Sequence, residues 1–429
     1  MKQELADITA AYSPQSLRIG LFSESFQPVQ NGVTTSVLTL ISGLRTQGHR
    51  VWVFAPEHLQ KREREFNVMR FPSFVSMFNR EYPLAYPFIP RIALTTHFKR
   101  LRLDIVHTHT PFVLGLTGAN LAIRRDIPLV STFHTLYTQY SHYLPFLPET
   151  VTESMIEHYL EWYYNRCAEI ICPSKVAADA LASLGITTPI EIIPTGIPLP
   201  DKDMVGEKAR IAMRAELSLS SDTPVLLYAG RLAKEKNIIF LLEALKSLLQ
   251  QMPSAILLVA GGGPYAQECE SIAASLEISG NIRFLGPTPR IKMDGLYAAA
   301  DVFCFPSPSE TQGLVIGEAR AAGVPCVVVD AGGAPEHVAD GIDGFRIAAG
   351  NRDAFVMRLF QILTNQHLRD FMRANALINA RLYTPEVMID RVADVYMRAG
   401  KSSPPINDEQ NSEMDWESIG ESIYENSNR

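Results

Sequence analysis

Apolar positions along this chain fall into two rhythms that take turns over most of its length. Short runs rich in β-branched and aromatic side chains read as buried strands: 17–22 (LRIGLF), 50–56 (RVWVFAP), 104–109 (DIVHTH), 128–134, 169–174 and 190–195 make a first series. The runs 224–230 (PVLLYAG), 255–261 (AILLVAG), 282–286, 301–307 (DVFCFPS) and 325–330 (PCVVVD) make a second. Between them the apolar residues recur at helical spacing, as in VTTSVLTLISGLRTQG (33–48) and NIIFLLEALKSLLQQMP (237–253). Such alternation predicts an α/β protein built from two doubly wound parallel sheets in tandem. Ligands of such sheets bind beyond the C-terminal strand ends, so two facing domains would enclose a cleft.

Proline and charge replace the apolar pattern near Ile197–Pro200, which sets the expected boundary. The expected units are residues 1–200, 201–384, a last amphipathic helix at 385–400, and an acidic, disordered tail at 401–429. With 429 residues the chain exceeds one ordinary core. A net charge of −7 argues against nucleic acid or another polyanion as partner. Five scattered cysteines without a CxxC speak for a reducing cytoplasm and against disulfides or structural zinc. Neither a signal-peptide core nor a spanning apolar window is present, so any expected membrane contact is peripheral. The oligomeric state has no signature here.

Candidate chemistry clusters where runs of the second series end. In SPSETQGLVIGEARAAGVP (307–325) a strand gives way to a polar loop and then a helix, with Glu310 and Glu318 on either side of Gly313. Backbone N–H groups of Gly313, Leu314 and Val315 would be free to hold a phosphate. A helical side chain leans toward its N-terminus, so Glu318 would point back at that ligand, its carboxylate suited to a ribose diol. In YAGRLAKEKN (228–237), Gly230 closes a strand and Arg231 and Lys236 follow, two cations suited to a diphosphate that gathers charge as it leaves. A solvated basic turn is the alternative. Gly261, Gly262 and Gly263 make a close-approach turn before a helix, and Gly332, Gly333 and Glu336 make another.

In the first half, Asn31-Gly32 meets the start of a helix, where the backbone could approach a ligand phosphate; an ordinary turn capped by Thr34 or Thr35 is the alternative. His107 and His109 share one strand face; no third ligand stands at metal-like spacing, so His109 is expected to face the cleft and His107 to be structural. His134, Tyr137 and Tyr140 belong to an aromatic run that reads either as packing or as the bed of a greasy acceptor. Arg91, Lys99, Arg100 and Arg102 stand near Phe98 and Leu101 as in a basic amphipathic helix for anionic lipid, or equally in a solvated one. The Asp201-Lys202-Asp203 triplet falls in the expected linker and is discounted as a metal motif. The signatures GxSxG, HExxH and GxxxxGK[ST] are absent.

The segments NGVTTSV, VHTHTPF, STFHT, GRLAKEKN, GGGP, ETQGLVIGE and GGAPE together resemble the retaining GT-B glycosyltransferases of the "group 1" class, family four, over 17–400. Within that family HTHTPFVLGLTG and IPLVSTFHTLYTQYSHYLP look most like the diacylglycerol glucosyltransferases, which use UDP-glucose at a membrane surface. The resemblance implies catalytic roles for His109, Arg231, Lys236 and Glu310. Arg231 and Lys236 would grip the donor diphosphate, Glu310 the transferred sugar, Glu318 the ribose, and His109 the sugar near its 6-hydroxyl. Gly32, Gly230, Gly262, Gly263, Gln312, Gly313, Leu314 and Val315 would complete the donor site, and His134, Tyr137 and Tyr140 would meet the acceptor. It further implies a nucleotide-sugar co-substrate, a lipid acceptor, no metal, no other cofactor, and a last helix that returns to the first domain. Many relatives carry Gly-Phe-Gly where this chain has Thr311-Gln312-Gly313. Another nucleotide sugar such as GDP-mannose, a soluble acceptor, and a non-catalytic nucleotide-sugar-binding partner are the alternatives.

Overall fold

The structure, a computed structural model, describes residues 16–58, 67–75, 83–86, 101–136 and 149–401. Tyr137, Tyr140, the tail beyond residue 401, and Arg91, Lys99 and Arg100 of the basic stretch lie outside them.

Each expected apolar run forms a strand. In chain order the strands are β1 (Arg18–Phe22), β2 (Arg50–Pro56), β3 (Val68–Phe71), β4 (Ser73–Val75), β5 (Pro83–Ala85), β6 (Ile105–Thr108), β7 (Leu129–Thr132), β8 (Glu169–Cys172) and β9 (Ile190–Ile192). After them come β10 (Val225–Ala229), β11 (Ile256–Ala260), β12 (Ile282–Gly286), β13 (Val302–Phe305), β14 (Cys326–Val329) and β15 (Gly344–Ile347). The first sheet runs β3-β2-β1-β6-β7-β8-β9 and the second β12-β11-β10-β13-β14-β15, while β4 and β5 pair as a small antiparallel ribbon. Within both large sheets every pairing is parallel. The inner strands are buried along their length, as helices on both faces require: VLLYA of β10 and VFCF of β13 have no exposed position.

The first helix, Gly32–Thr46, is capped by Asn31, whose Oδ1 accepts the Thr34 N–H at 2.8 Å. Neither Thr34 nor Thr35 takes that role. The last helix, Pro385–Lys401, returns to the first sheet. Its Met388, Ile389, Val392, Val395 and Tyr396 share one core with Val37, Leu40, Ile41 and Leu44. Gly43 permits the contact, since a Cβ there would fall 2.2 Å from Ile389 Cγ1.

In each sheet the strand order reverses once, between β1 and β6 and between β10 and β13. Loops leaving those four strands therefore diverge, and the crevice they leave is where ligands bind in this architecture. They carry Ser23 to Asn31, His109, Arg231 with Lys236, and Glu310 with Gly313.

Candidate active site

The two crevices face each other. Gly313 adopts a left-handed backbone (φ +77°), which a side chain would strain, and so turns the loop after β13 sharply into the helix Leu314–Ala321. The first N–H groups of that helix have no acceptor within it. A Cβ placed on Gly32 would lie 3.6 Å from Leu314 Cδ1, so the starts of two helices, one from each domain, meet across the cleft. Both present positive ends to whatever lies between them.

Lys236 closes the short 3-10 turn after β10, and its Nζ pairs with Glu310 Oε1 at 2.5 Å. Both side chains are mostly buried. Arg231 stands between Gly230 and that turn, with its carbonyl accepting the Tyr228 hydroxyl at 3.1 Å. Gly230 and Gly262 continue the β10–β11 ladder: the Gly230 N–H donates to Ala260 O and the Leu232 N–H to Gly262 O. Gly263 follows at the turn toward the helix Ala266–Ser275.

One oxygen of Glu318 is already engaged. Oε2 accepts the Tyr297 hydroxyl at 2.8 Å and pairs with Arg290 at 2.5 Å. Among the described residues Oε1 has no partner, so as arranged the carboxylate offers one oxygen, not two. Gln312 differs more from expectation: its amide accepts the Thr195 N–H at 3.0 Å and donates to Thr195 O at 3.1 Å. Thr195 in turn donates to Ser36 Oγ. Gln312 therefore ties the loop after β13 to the segment joining the domains, and its amide is spent there.

The turn holding Gly332 and Gly333 backs this loop. The Gly333 N–H donates to Glu310 O at 2.7 Å, and a Cβ on Gly333 would meet Thr311 O at 2.1 Å. Glu336 belongs to neither crevice. Its carboxylate accepts the N–H groups of Lys175 and Val176, at 2.7 and 2.9 Å, and so caps a helix (Lys175–Ala182) of the opposite domain. Asp201 caps the short helix Lys202–Val205.

From the first domain come three histidines. His107 is structural: its Nδ1 meets the Tyr396 hydroxyl and its Nε2 the Thr132 hydroxyl, both at 2.7 Å. His109 stacks on it with ring centres 4.3 Å apart, and its Nδ1 lies 3.0 Å from His134 Nε2. Among the described residues no group of three His, Cys, Asp or Glu side chains is arranged to hold a metal ion.

Comparison with known proteins supplies the family. Residues 30–200 match the model "Glycosyltransferase Family 4" and residues 209–378 "Glycosyl transferases group 1". The chain is 32% identical over 314 residues to an alpha-monoglucosyldiacylglycerol synthase of Streptococcus pneumoniae, covering 72% of this chain and 70% of that one. It is 31% identical over 402 residues to the protein of the same name from Acholeplasma laidlawii, covering 89% and 97%. The chain belongs to the family 4 glycosyltransferases. The two-sheet architecture is that of a sucrose-phosphate synthase from Thermosynechococcus elongatus, with a TM-score of 0.71 at 20% identity over 89% of this chain and 98% of that one. This glycosyltransferase is thus a retaining hexosyltransferase of GT-B fold that takes a nucleotide-sugar donor. No helix among its described residues is long and apolar enough to cross a membrane.

One buried carboxylate beside these loops escaped the sequence reading. Glu24, buried after β1, accepts the N–H groups of Leu114 and Ala85 at 2.6 and 3.4 Å, fastening the β4–β5 ribbon to the helix Val113–Ile123. Burial pushes its carboxyl up to about 7 despite those bonds. The signal was a lone acid between serines where an apolar strand ends.

The histidines and Glu24 set opposed pH dependences. Burial holds His107 at about 3 and His134 at about 4, and His109 well below its ordinary value. His337, buried elsewhere, is held at about 4. Below pH 6.5 the unfolded chain protonates these rings and the folded one does not, so their contribution falls as pH drops from 6.5 toward 4. Glu24 acts oppositely: between 4.5 and about 7 the folded state holds the extra proton. Four rings outweigh one carboxyl. The urea midpoint is therefore expected to be lower at pH 5 than at pH 7.5, and a higher midpoint at pH 5 would contradict the burial of these rings.

Proposed function

We propose that this enzyme moves glucose from UDP-glucose, with retention, to the free hydroxyl of a diacylglycerol-type lipid at a membrane surface, on its cytoplasmic side. The observation that carries the transfer is the apposition of two helix starts beside Arg231 and the Lys236–Glu310 pair. Such a notch suits a diphosphate whose charge grows as the glycosidic bond breaks. Glu310, through the oxygen that Lys236 leaves, would take hydroxyls of the sugar, and Glu318 Oε1 one hydroxyl of the ribose. Gly32 and the amides of Leu314 and Val315 would line the phosphates from either side.

The lipid acceptor rests on the named synthases at about one-third identity and on exposed aromatics of the first domain. Phe74 on β4 and Tyr86 just after β5 meet with ring centres 5.2 Å apart and planes tilted by 44°, and Phe112 opens the helix that Glu24 fastens to that ribbon. All three are exposed. In the reaction the C1–phosphate bond breaks, the acceptor oxygen bonds C1 from the same face, and its proton passes to the departing phosphate oxygen. UDP leaves protonated.

A panel of UDP-glucose, UDP-galactose and GDP-mannose tests this, each offered with diacylglycerol vesicles or with soluble saccharides. Glucosyl-diacylglycerol as the fastest product is the expected outcome. Faster transfer from GDP-mannose, or to a soluble saccharide, would replace this reading.

A further inference from the structure

His109 and His134 follow neighbouring strands, β6 and β7, and their rings meet across a single N···N contact of 3.0 Å, with planes 23° apart. Burial keeps both rings neutral at pH 7, so each carries one N–H, and the contact holds one proton. His107, stacked on His109 with ring centres 4.3 Å apart, has both nitrogens committed to Tyr396 and Thr132 and cannot take part. His109 Nε2 is buried and has no hydrogen-bond partner among the described residues.

Two arrangements are compatible with the contact. If His134 donated, His109 would carry its own proton on Nε2, leaving a buried N–H with no acceptor among the described residues. If His109 donates through Nδ1, its Nε2 keeps a lone pair and His134 carries its proton on Nδ1. Orphaned buried N–H groups are rarer than unfilled buried acceptors, because an unmet donor forfeits its whole hydration. The second arrangement is favoured.

We propose that His134 is the positioning residue for His109: it accepts the Nδ1 proton and so presents the Nε2 lone pair as acceptor for a hydroxyl hydrogen of the transferred sugar. The inference rests on the reading that His109 faces that sugar. His134 is itself held from the opposite domain, since its main-chain carbonyl accepts the Thr311 hydroxyl at 2.9 Å. Thr311 adjoins Glu310, so the loop that meets the donor also steadies the ring that sets the tautomer. A lone pair at Nε2 selects sugars that keep a donating hydroxyl there and disfavours the corresponding deoxy sugar.

Selective 15N labelling of histidine, without ligand, reads the tautomer directly. The His109 resonances, assigned by their loss in His109→Gln protein, are expected to show a protonated Nδ1 and a bare Nε2. In turnover, His134→Leu is expected to lose about ten- to a hundredfold in kcat with UDP affinity by calorimetry unchanged. His134→Gln, whose side-chain carbonyl can accept the same proton, is expected to recover most of that loss. A wild-type His109 protonated at Nε2, or equal kcat in the Leu and Gln variants, would overturn the proposal. Should His134→Leu fail to fold, the wild-type spectrum decides alone. Absence of UDP binding to wild-type protein would instead remove the donor reading and leave the tautomer result standing.

Discussion

Turnover is expected to fall about 100- to 1,000-fold when either Arg231 or Lys236 is replaced by alanine, the range found when one preorganised charge-stabilising donor is removed. The two losses differ in kind. Arg231→Ala removes a cation and leaves the Lys236–Glu310 pair intact. Lys236→Ala removes a cation and also strips Glu310 of the ammonium 2.5 Å away, leaving a mostly buried carboxylate unpaired beside the donor's own negative charge. Lys236→Ala should therefore be the more damaging, and Glu310→Gln added to it should recover part of UDP binding without restoring turnover. Steady-state kinetics with UDP calorimetry separates these outcomes. Near-wild-type turnover in both single variants would dismiss the diphosphate notch.

The placement of these four residues was legible because one loop supplies each half of the group. Arg231 and Lys236 follow one strand, Glu310 and Gly313 another, and strand, loop and helix were each visible as apolar pattern. Strands β3, β4, β5 and β15 were passed over for the complementary reason. VMRF, SFV, PLA and GFRI are short and lack a sustained apolar run.

What the sequence could not show is which groups are already spoken for. Glu318 meets Arg290 and Tyr297, Gln312 meets Thr195, Glu336 meets Lys175 and Val176, and His109 meets His134. Every one of these pairs joins separate elements, and three of them span the two sheets or the segment between them. Local spacing carries no information about such contacts; only the strand order that brings the loops together does. Gln312 is the clearest instance. As a residue type it promised an amide for the donor, yet its position on a loop facing Thr195 commits it to holding the domains.

The largest loss of stability is expected from a residue at the opposite end of the second sheet. Asp301 precedes β13, and its two oxygens accept from Arg210 at 2.6 Å, from Arg214 at 2.9 Å and from the Val225 N–H at 2.8 Å. Arg214 is almost wholly buried and also donates to the carbonyls of Ala299, Ser220, Ser221 and Thr223. The aspartate thus fastens the helix Glu207–Glu216 and the end of the helix Arg290–Ala299 to the sheet. Asp301→Ala removes the one carboxylate these guanidinium groups share and leaves a buried cation uncompensated, which costs about 3–5 kcal/mol. Urea unfolding of the variant should show a transition displaced by that amount. UDP affinity under conditions where the variant remains folded should be unchanged, because β13 places Asp301 at its N-terminal end and the loop of Glu310 and Gly313 at its C-terminal end. A parallel loss of UDP affinity in folded protein would mean that the two ends of this strand are not independent, and that the helix Arg290–Ala299 carries the disturbance from Asp301 to Arg290 and Glu318.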